Sequence, residues 1–251
     1  MAIDLNADLG ELTGSDGVRA DAALIEIVSS VNVATGGHAG DRQSMTRVCR
    51  AAAAARVTVG AHVSYPDRAG FGRVSLDIPA AVLRRSLTAQ LTELSIVAES
   101  VGAPVRYVKP HGALYHDAAR DPGLADLLLD VAAGAGIGVL TLPGRTLQVR
   151  ARAAGVAAFA EGFADRAYRS DGTLQPRDQP GAVLHDPSLV RDRVVALARG
   201  ESIDAVDGRV ALTVDSICLH GDTPGAIALA RAIADGLDEA RIAVRPFLAT
   251  A

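Results

Sequence analysis

Residues 2–11 read AIDLNADLGE. In an extended chain Ile3, Leu5 and Ala7 fall on one face and Asp4, Asn6 and Asp8 on the other, because strand side chains alternate. A parallel strand buried on both faces should be apolar throughout. One face of this strand instead carries a row of polar and acidic groups, and the fold has to accommodate them.

Short β-forming runs recur along the chain at 30–34, 57–61, 105–109, 137–141, 156–160 and 212–219, with a weaker one at 242–247. Helical periodicity fills the intervals 18–29, 42–56, 79–101, 122–135, 145–154, 187–199 and 224–240. Several of these begin at Pro79, Asp121-Pro122, Asp186-Pro187 or Thr223-Pro224, where a capping residue or a proline suits the first turn. A strand followed by a helix about seven times predicts parallel strands joined by helical crossovers. With no linker or compositional break, the expectation is α/β: a single (β/α) barrel over residues 1–251, deformed, with about seven parallel strands. An open doubly wound sheet is the alternative, disfavoured because no GxGxxG or GxxxxGK[ST] follows a strand. The long irregular segments 62–78 and 161–186 both follow strand C-termini, where such loops serve as lids or binding loops.

Composition removes several functions. The net charge is −4 and the pI near 5.8, with basic residues scattered. Nucleic acid is therefore not an expected partner. No apolar run approaches the roughly 20 residues of a membrane span, and the acidic N-terminal segment lacks the basic and apolar regions of a signal peptide. A soluble cytoplasmic protein is expected. Cys49 and Cys218 stand far apart with no neighbouring Cys or His pattern, so they read as buried thiols.

Polar residues collect at the predicted strand ends: Asn32, His38 and Asp41, then His62, Lys109 with His111, Glu161, and His220 with Asp222. In barrels the C-terminal ends of the strands are where active sites are built. Four of the six histidines occupy such positions, while His116 and His185 lie further into loops. Structural readings stand beside each. Asp4 could be solvated or arginine-paired; Asp8 and Glu11 could cap a helix; Asn6 could satisfy backbone groups; Glu161 could pair with Arg166. Lys109 is the one lysine among 25 cationic side chains. A site that takes lysine where every other cation is arginine calls for a compact ammonium rather than a broad guanidinium fork. It could polarise a carbonyl, hold a phosphate, or balance Asp4 and Asp8.

Six blocks, DLNADLGE (4–11), SVNVATGGHAGD (30–41), GAHVSYPDRAGFGR (60–73), VKPHGALYH (108–116), EGFADRAYRSDGTLQPRDQPGAVLHD (161–186) and SICLHGDTPGA (216–226), resemble the LamB/YcsF family, in order and over nearly the whole chain. The resemblance implies a deformed barrel similar to the glycoside hydrolase/deacetylase barrels. It also implies ATP-coupled opening of the 5-oxo-L-proline lactam to L-glutamate, together with partner subunits B and C. Within that reaction Asp8, Glu11, His38, His62, Lys109 and His111 are the expected catalytic residues. Lys109 would supply a cation, His111 or His38 would stabilise an oxyanion, and Asp8 with Glu11 or His62 would activate water. Asn6, Asn32, Glu161, Arg166, His220 and Asp222 are expected to bind substrate or nucleotide. The chain has no Walker motif, so ATP binds on a partner or binds here without a P-loop. Arg166, Arg169 and Arg177 in the long loop suit a lid, an anion clamp or a subunit contact.

Two other functions fit the residues. Asp8, His38, His62 and His111 could ring a divalent metal for deacetylation or amide hydrolysis without ATP. The chain could also be a non-catalytic binding subunit of a larger hydrolase.

Overall fold

The computed structural model describes residues 1–221, 223 and 225–248. Its first strand, β1 (Ala2–Leu9), pairs in parallel with β2 (Ser30–Ala34), and β3 (Thr58–Val63), β4 (Val105–Pro110), β5 (Gly138–Thr141) and β6 (Ala158–Phe163) follow in order. After a short antiparallel hairpin, β7 (Ile203–Ala205) and β8 (Gly208–Val210), strand β9 (Ser216–His220) inserts between β6 and β1 and closes the ring. Seven parallel strands therefore form a closed barrel, and the expected architecture holds. A last two-residue strand, β10 (Ala243–Val244), adds to the N-terminal end of β1 outside the ring.

Closure explains the alternation in the first strand. Ile3, Leu5, Ala7 and Leu9 are buried on the outer face, beneath the surrounding helices, where each large aliphatic side chain contributes about 1.5–3 kcal/mol of burial. Asp4, Asn6 and Asp8 point into the barrel, where Ser30 and Asn32 of β2 and Ser216 and His220 of β9 lie in register beside them. The interior is packed with hydrogen-bonding side chains in place of the usual aliphatic layers. Gly60 makes room for one of them, since a Cβ there would stand 2.3 Å from the Tyr107 ring.

The helices are α1 (Gly14–Ile25), α2 (Arg42–Ala55), α3 (Ala80–Ser100), α4 (Gly112–Ala118), α5 (Pro122–Gly134), α6 (Thr146–Ala153), α7 (Pro187–Ala198) and α8 (Ala226–Glu239). Asp121 and Asp186 cap α5 and α7 as their sequence predicts, and Asp41 caps α2 in a reciprocal box with Ser44. Several boundaries differ. Helix α1 starts four residues early, after Thr13. Residue Pro79 is the N-cap of α3 rather than part of its first turn. At α8 the cap is Gly225, and the Thr223 hydroxyl turns away to bond Asp165. Helix α4 and the β7–β8 hairpin carry no periodic signal, being only seven and three residues per element.

The long loops are ordered by specific contacts. In the loop after β6, Phe163 N–H donates to the Tyr168 hydroxyl at 2.7 Å, and Arg193 of α7 donates to the Arg166 carbonyl at 2.9 Å. The β7–β8 turn supports the same loop through Val206 N–H to Tyr168 O at 2.8 Å. No helix of the described residues is long and apolar enough to cross a membrane.

Candidate active site

Polar residues stack down the barrel axis as a continuous hydrogen-bond chain. At the bottom, Asp4 accepts from Ser29 and Ser30, both at 2.6 Å, and from Ser216. It is buried and touches no arginine, so neither the solvated nor the arginine-paired reading holds. Desolvation outweighs the three hydroxyls and pushes its carboxyl up to about 6. Above it, Asn6 donates to Ser216 at 2.6 Å, and Asn32 donates to Asn6 at 2.7 Å and to Asp8 at 2.8 Å. The Tyr107 hydroxyl donates to Asn32 at 2.7 Å. Such a fully satisfied network rigidifies what it holds. Its upper end holds Asp8.

Lys109 projects from β4 to the centre of this upper layer. Its ammonium hydrogen-bonds Asp8 Oδ1 at 2.8 Å and Cys218 Sγ at 3.1 Å, and pairs with Glu161 Oε1 at 2.8 Å. Burial alone would drive the proton off, but the two carboxylates hold Lys109 well above the usual lysine range. Neither Glu161 oxygen accepts a hydrogen bond, and the carboxylate is held by its ion pair with this ammonium. Its expected pairing with Arg166 does not form. The ammonium meets three protein groups, Asp8 and Cys218 by hydrogen bond and Glu161 by ion pairing, which explains why a compact cation stands here. It balances Asp8 and Glu161 rather than Asp4.

Three imidazoles gather beside this pair. His62 of β3 and His111 at the end of β4 meet at 3.0 Å between Nε2 and Nδ1. His38, after β2, stacks on His111 at 3.7 Å between ring centres and reaches Glu11 Oε1 at 2.9 Å. Backbone carbonyls fix two tautomers: Lys109 O accepts from His62 Nδ1 at 3.1 Å, and Phe71 O accepts from His111 Nε2 at 2.9 Å. The remaining nitrogens, His62 Nε2 and His111 Nδ1, therefore turn lone pairs toward Glu11 Oε1, at 3.7 and 3.4 Å. Asp8 Oδ2 lies 3.3 Å from His62 Nε2. Burial and the neighbouring His62 push His38 down to about 2 and His111 well below the imidazole range, so both are neutral.

The donor set fits a divalent metal. Glu11, His38, His62 and His111 offer ligand atoms that all lie within 4.8 Å of one another, and Asp8, Cys218 and His220 form a second such group. Ring nitrogens oriented by carbonyls on their far side are the usual outer support of a metal-binding imidazole. The turn supplying Phe71 is itself strained, with Phe71 at φ 54° and Gly72 at φ 64°. A Cβ on Gly72 would stand 2.9 Å from His38 Cβ and 3.0 Å from His111 Cδ2. Glycine is what lets this turn lie against the histidines.

A cavity of about 730 Å³ opens above this centre. Of the sequence-predicted residues, Asp8, His62, Lys109, His111, Arg166 and His220 line it. Glu11, His38, Asn6, Asn32 and Glu161 are buried and are not among the residues that line it. Asp222 lies outside the described residues. Three contributors escape the sequence reading. Asp165, wholly buried, accepts from His220 Nδ1 at 2.8 Å and from Thr223 at 2.7 Å, which leaves His220 Nε2 toward the cavity. Despite the desolvation of burial, His220 and Thr223 hold Asp165 below the usual carboxylate range. His116, placed by the unpredicted α4, lines the cavity, and burial together with Arg166 and Arg120 pushes it down to about 4. Cys218 sits under Asp8, and burial keeps it a thiol.

Fold and site together define a closed (β/α) barrel that concentrates acid–base and metal-ligating groups at its C-terminal mouth. The chain belongs to the LamB/YcsF family, whose model matches residues 3–251. It is 47% identical over 249 residues to a 5-oxoprolinase A component of Pseudomonas syringae pv. tomato, covering 98% of this chain and 97% of the relative. It superposes on the crystal structure of a lactam utilization protein from Thermus thermophilus with a TM-score of 0.89 at 35% identity, covering 98% and 99% of the two chains. A family 4 carbohydrate esterase from Streptomyces lividans shares the fold alone, with a TM-score of 0.53 at 12% identity over 97% and 91%.

Proposed function

We propose that this chain opens the lactam ring of 5-oxo-L-proline to L-glutamate, coupled to hydrolysis of ATP, as the A component of a cytoplasmic enzyme completed by subunits B and C. The observation that carries this reading is the full-length similarity to relatives named for 5-oxoproline and lactam use, joined to a buried acid–base centre under one cavity. An unstrained lactam resists hydrolysis because of amide resonance. Activation of its oxygen by the terminal phosphoryl group of ATP removes that resistance. A base then delivers water to the ring carbon, an acid protonates the nitrogen as the C–N bond breaks, and a second water cleaves the resulting acyl phosphate to glutamate and inorganic phosphate.

The geometry distributes these tasks. His220, held in one tautomer by Asp165, presents Nε2 to the cavity as the proton carrier. Asp8, kept ionised by His62 and Lys109, and His62 itself border the place where the reacting carbon would sit. Lys109 positions Asp8 and Glu161 instead of gripping a phosphate. The test is glutamate formation from 5-oxo-L-proline by the purified chain with ATP and both partner subunits. Glutamate only in the complete mixture supports the reading, and none in any mixture refutes it.

The converging lone pairs of His62 and His111 with Glu11 favour a second reading, a divalent-metal hydrolase for a small amide or carbohydrate without ATP. A bound ion would supply Lewis-acid polarisation of the amide carbonyl. Stoichiometric metal in tag-free protein, with chelator-sensitive amide hydrolysis that ignores ATP, would favour this second reading.

A further inference from the structure

The wall of the cavity is opposite in sign to its floor. Six arginines line it against three aspartates. Some are matched: Arg120 pairs with Asp117 at 2.9 Å, and Arg145 bonds the Asp171 carbonyl. Arg166 is not. It is 3% exposed, and its Nε and Nη2 donate to the carbonyls of Ala182 at 3.2 Å and Gln175 at 2.6 Å. Among the described residues no carboxylate lies within ion-pair distance of it, and Nη1 has no hydrogen-bond partner. A buried guanidinium without a counterion is costly. Arg177, half-buried on the same loop, has neither a hydrogen bond nor an ion pair among the described residues, and its charge is felt at both Arg166 and His116.

Like charges reach this volume from separate loops. Arg73 comes from the loop after β3, Arg120 from the segment after β4, and Arg166 and Arg177 from the loop after β6. Arg166 and Arg177, unmatched by any carboxylate among the described residues, are stable together when an anion fills the cavity, and the guanidinium fork suits phosphate oxygens. A single carboxylate carries too little charge to match them. A chain of phosphates carries enough. Resting on the lactamase reading for the nucleotide's identity, we propose that the ATP polyphosphate binds in this chain, on Arg166 and Arg177 with Arg73 and Arg120 at the rim. Its terminal phosphoryl group would face the Asp8–His62 floor.

The test is calorimetric titration of the full chain with sodium tripolyphosphate, with ATP and with 5-oxo-L-proline, at low and physiological salt. The wild type should bind tripolyphosphate one to one. Arg177→Gln, which removes no contact within the protein, should weaken that binding at least about tenfold (about 1.4 kcal/mol) without moving the melting temperature. Arg166→Gln, if folded, should weaken it further, and Arg152→Gln, exposed on α6 outside the cavity, should leave it unchanged. Affinity for 5-oxo-L-proline should be the same in all four. Absence of saturable tripolyphosphate binding overturns the proposal, as does binding indifferent to Arg177. Loss of 5-oxo-L-proline binding alone in the arginine variants also overturns it, by giving the arginines to the substrate carboxylate. Tripolyphosphate binding at Arg177 with no glutamate from the assembled enzyme would instead remove the lactamase reading and leave the polyphosphate site in place.

Discussion

Replacing Lys109 by Met removes one ammonium from between two buried carboxylates while roughly keeping the volume. The contacts to Asp8 and Glu161 are each 2.8 Å. At an effective dielectric near 20, each corresponds to about 6 kcal/mol of direct attraction, much of it offset by the desolvation of the pair. Breaking a buried pair by removing one partner costs about 3–5 kcal/mol. For a chain of this size that lowers the melting temperature by roughly 6–20 °C. The assay is thermal unfolding followed by circular dichroism for Lys109→Met, Glu161→Gln and the double variant. Glu161→Gln removes one of the orphaned charges, so the double variant should be more stable than Lys109→Met, with a coupling of at least about 1.5 kcal/mol. The pH dependence should also change sign. In the wild type, burial tends to raise the Asp8 pKa, but His62 and Lys109 hold it well below the usual range, so its contribution is present above the unfolded pKa and lost on acidification. In Lys109→Met the stranded carboxylates are raised, and stability falls as pH rises through their folded pKa. A drop of less than about 2 °C for Lys109→Met, or strict additivity in the double variant, would refute the argument that this lysine exists to compensate buried acids. Lys109→Arg should also fail, by about 1–3 kcal/mol of overpacking, because a planar fork cannot meet three acceptors arranged around a point.

Asp165→Asn keeps the shape of the His220 partner but removes its charge. In the assembled enzyme it should lower kcat by about 10²–10⁴-fold and alter the pH–rate profile, and an unchanged profile would remove His220 as proton carrier. Asp4, raised to about 6, stabilises the fold most when protonated, and that contribution is lost as pH rises through 6. Between pH 5 and 8 the loss is about 1–2 kcal/mol, and denaturant titrations of Asp4→Asn should show the wild-type decline reduced by that amount. Gly72→Ala should destabilise by more than about 1 kcal/mol and weaken activity, since it strains the backbone and presses on His38 and His111. A wild-type melting curve would show that the turn can move aside.

The barrel is legible in the sequence because its signals are local and periodic. Alternation in residues 2–8 and the strand–helix spacing need no knowledge of partners, and the C-terminal placement of His38, His62, His111 and His220 follows from them. Phase and pairing are not legible in the same way. Reading the sixth strand as 156–160 rather than 158–163 puts Glu161 in the loop beside Arg166. Within the strand it points inward with Phe163 and meets Lys109, which lies far away in sequence. Asp165 reads as a turn residue because nothing local distinguishes a buried acid from a solvated one. Asn6 and Asn32 show the opposite error, since residues on the functional face of a strand can be support rather than contact.

The arrangement of charge along the barrel axis bears on why the interior is polar at all. An aliphatic core would hold the strands at least as well, because replacing buried ion pairs by apolar side chains is often neutral or stabilising. The axis instead runs from a serine-held Asp4, through two asparagines, to Asp8, Lys109 and Glu161, and then to a rim of arginines. The lower layers do not line the cavity, and through Asn32 they hold Asp8 at one height and in one rotamer. Lys109 offsets Asp8 and Glu161, while above them Arg166 and Arg177 have no carboxylate partner among the described residues. That imbalance is relieved when an anion sits between Arg166 and Arg177. Glu11, His38, His62 and His111 offer a cation its ligands beside the same cavity, so a cation bound there should strengthen anion binding at the arginines.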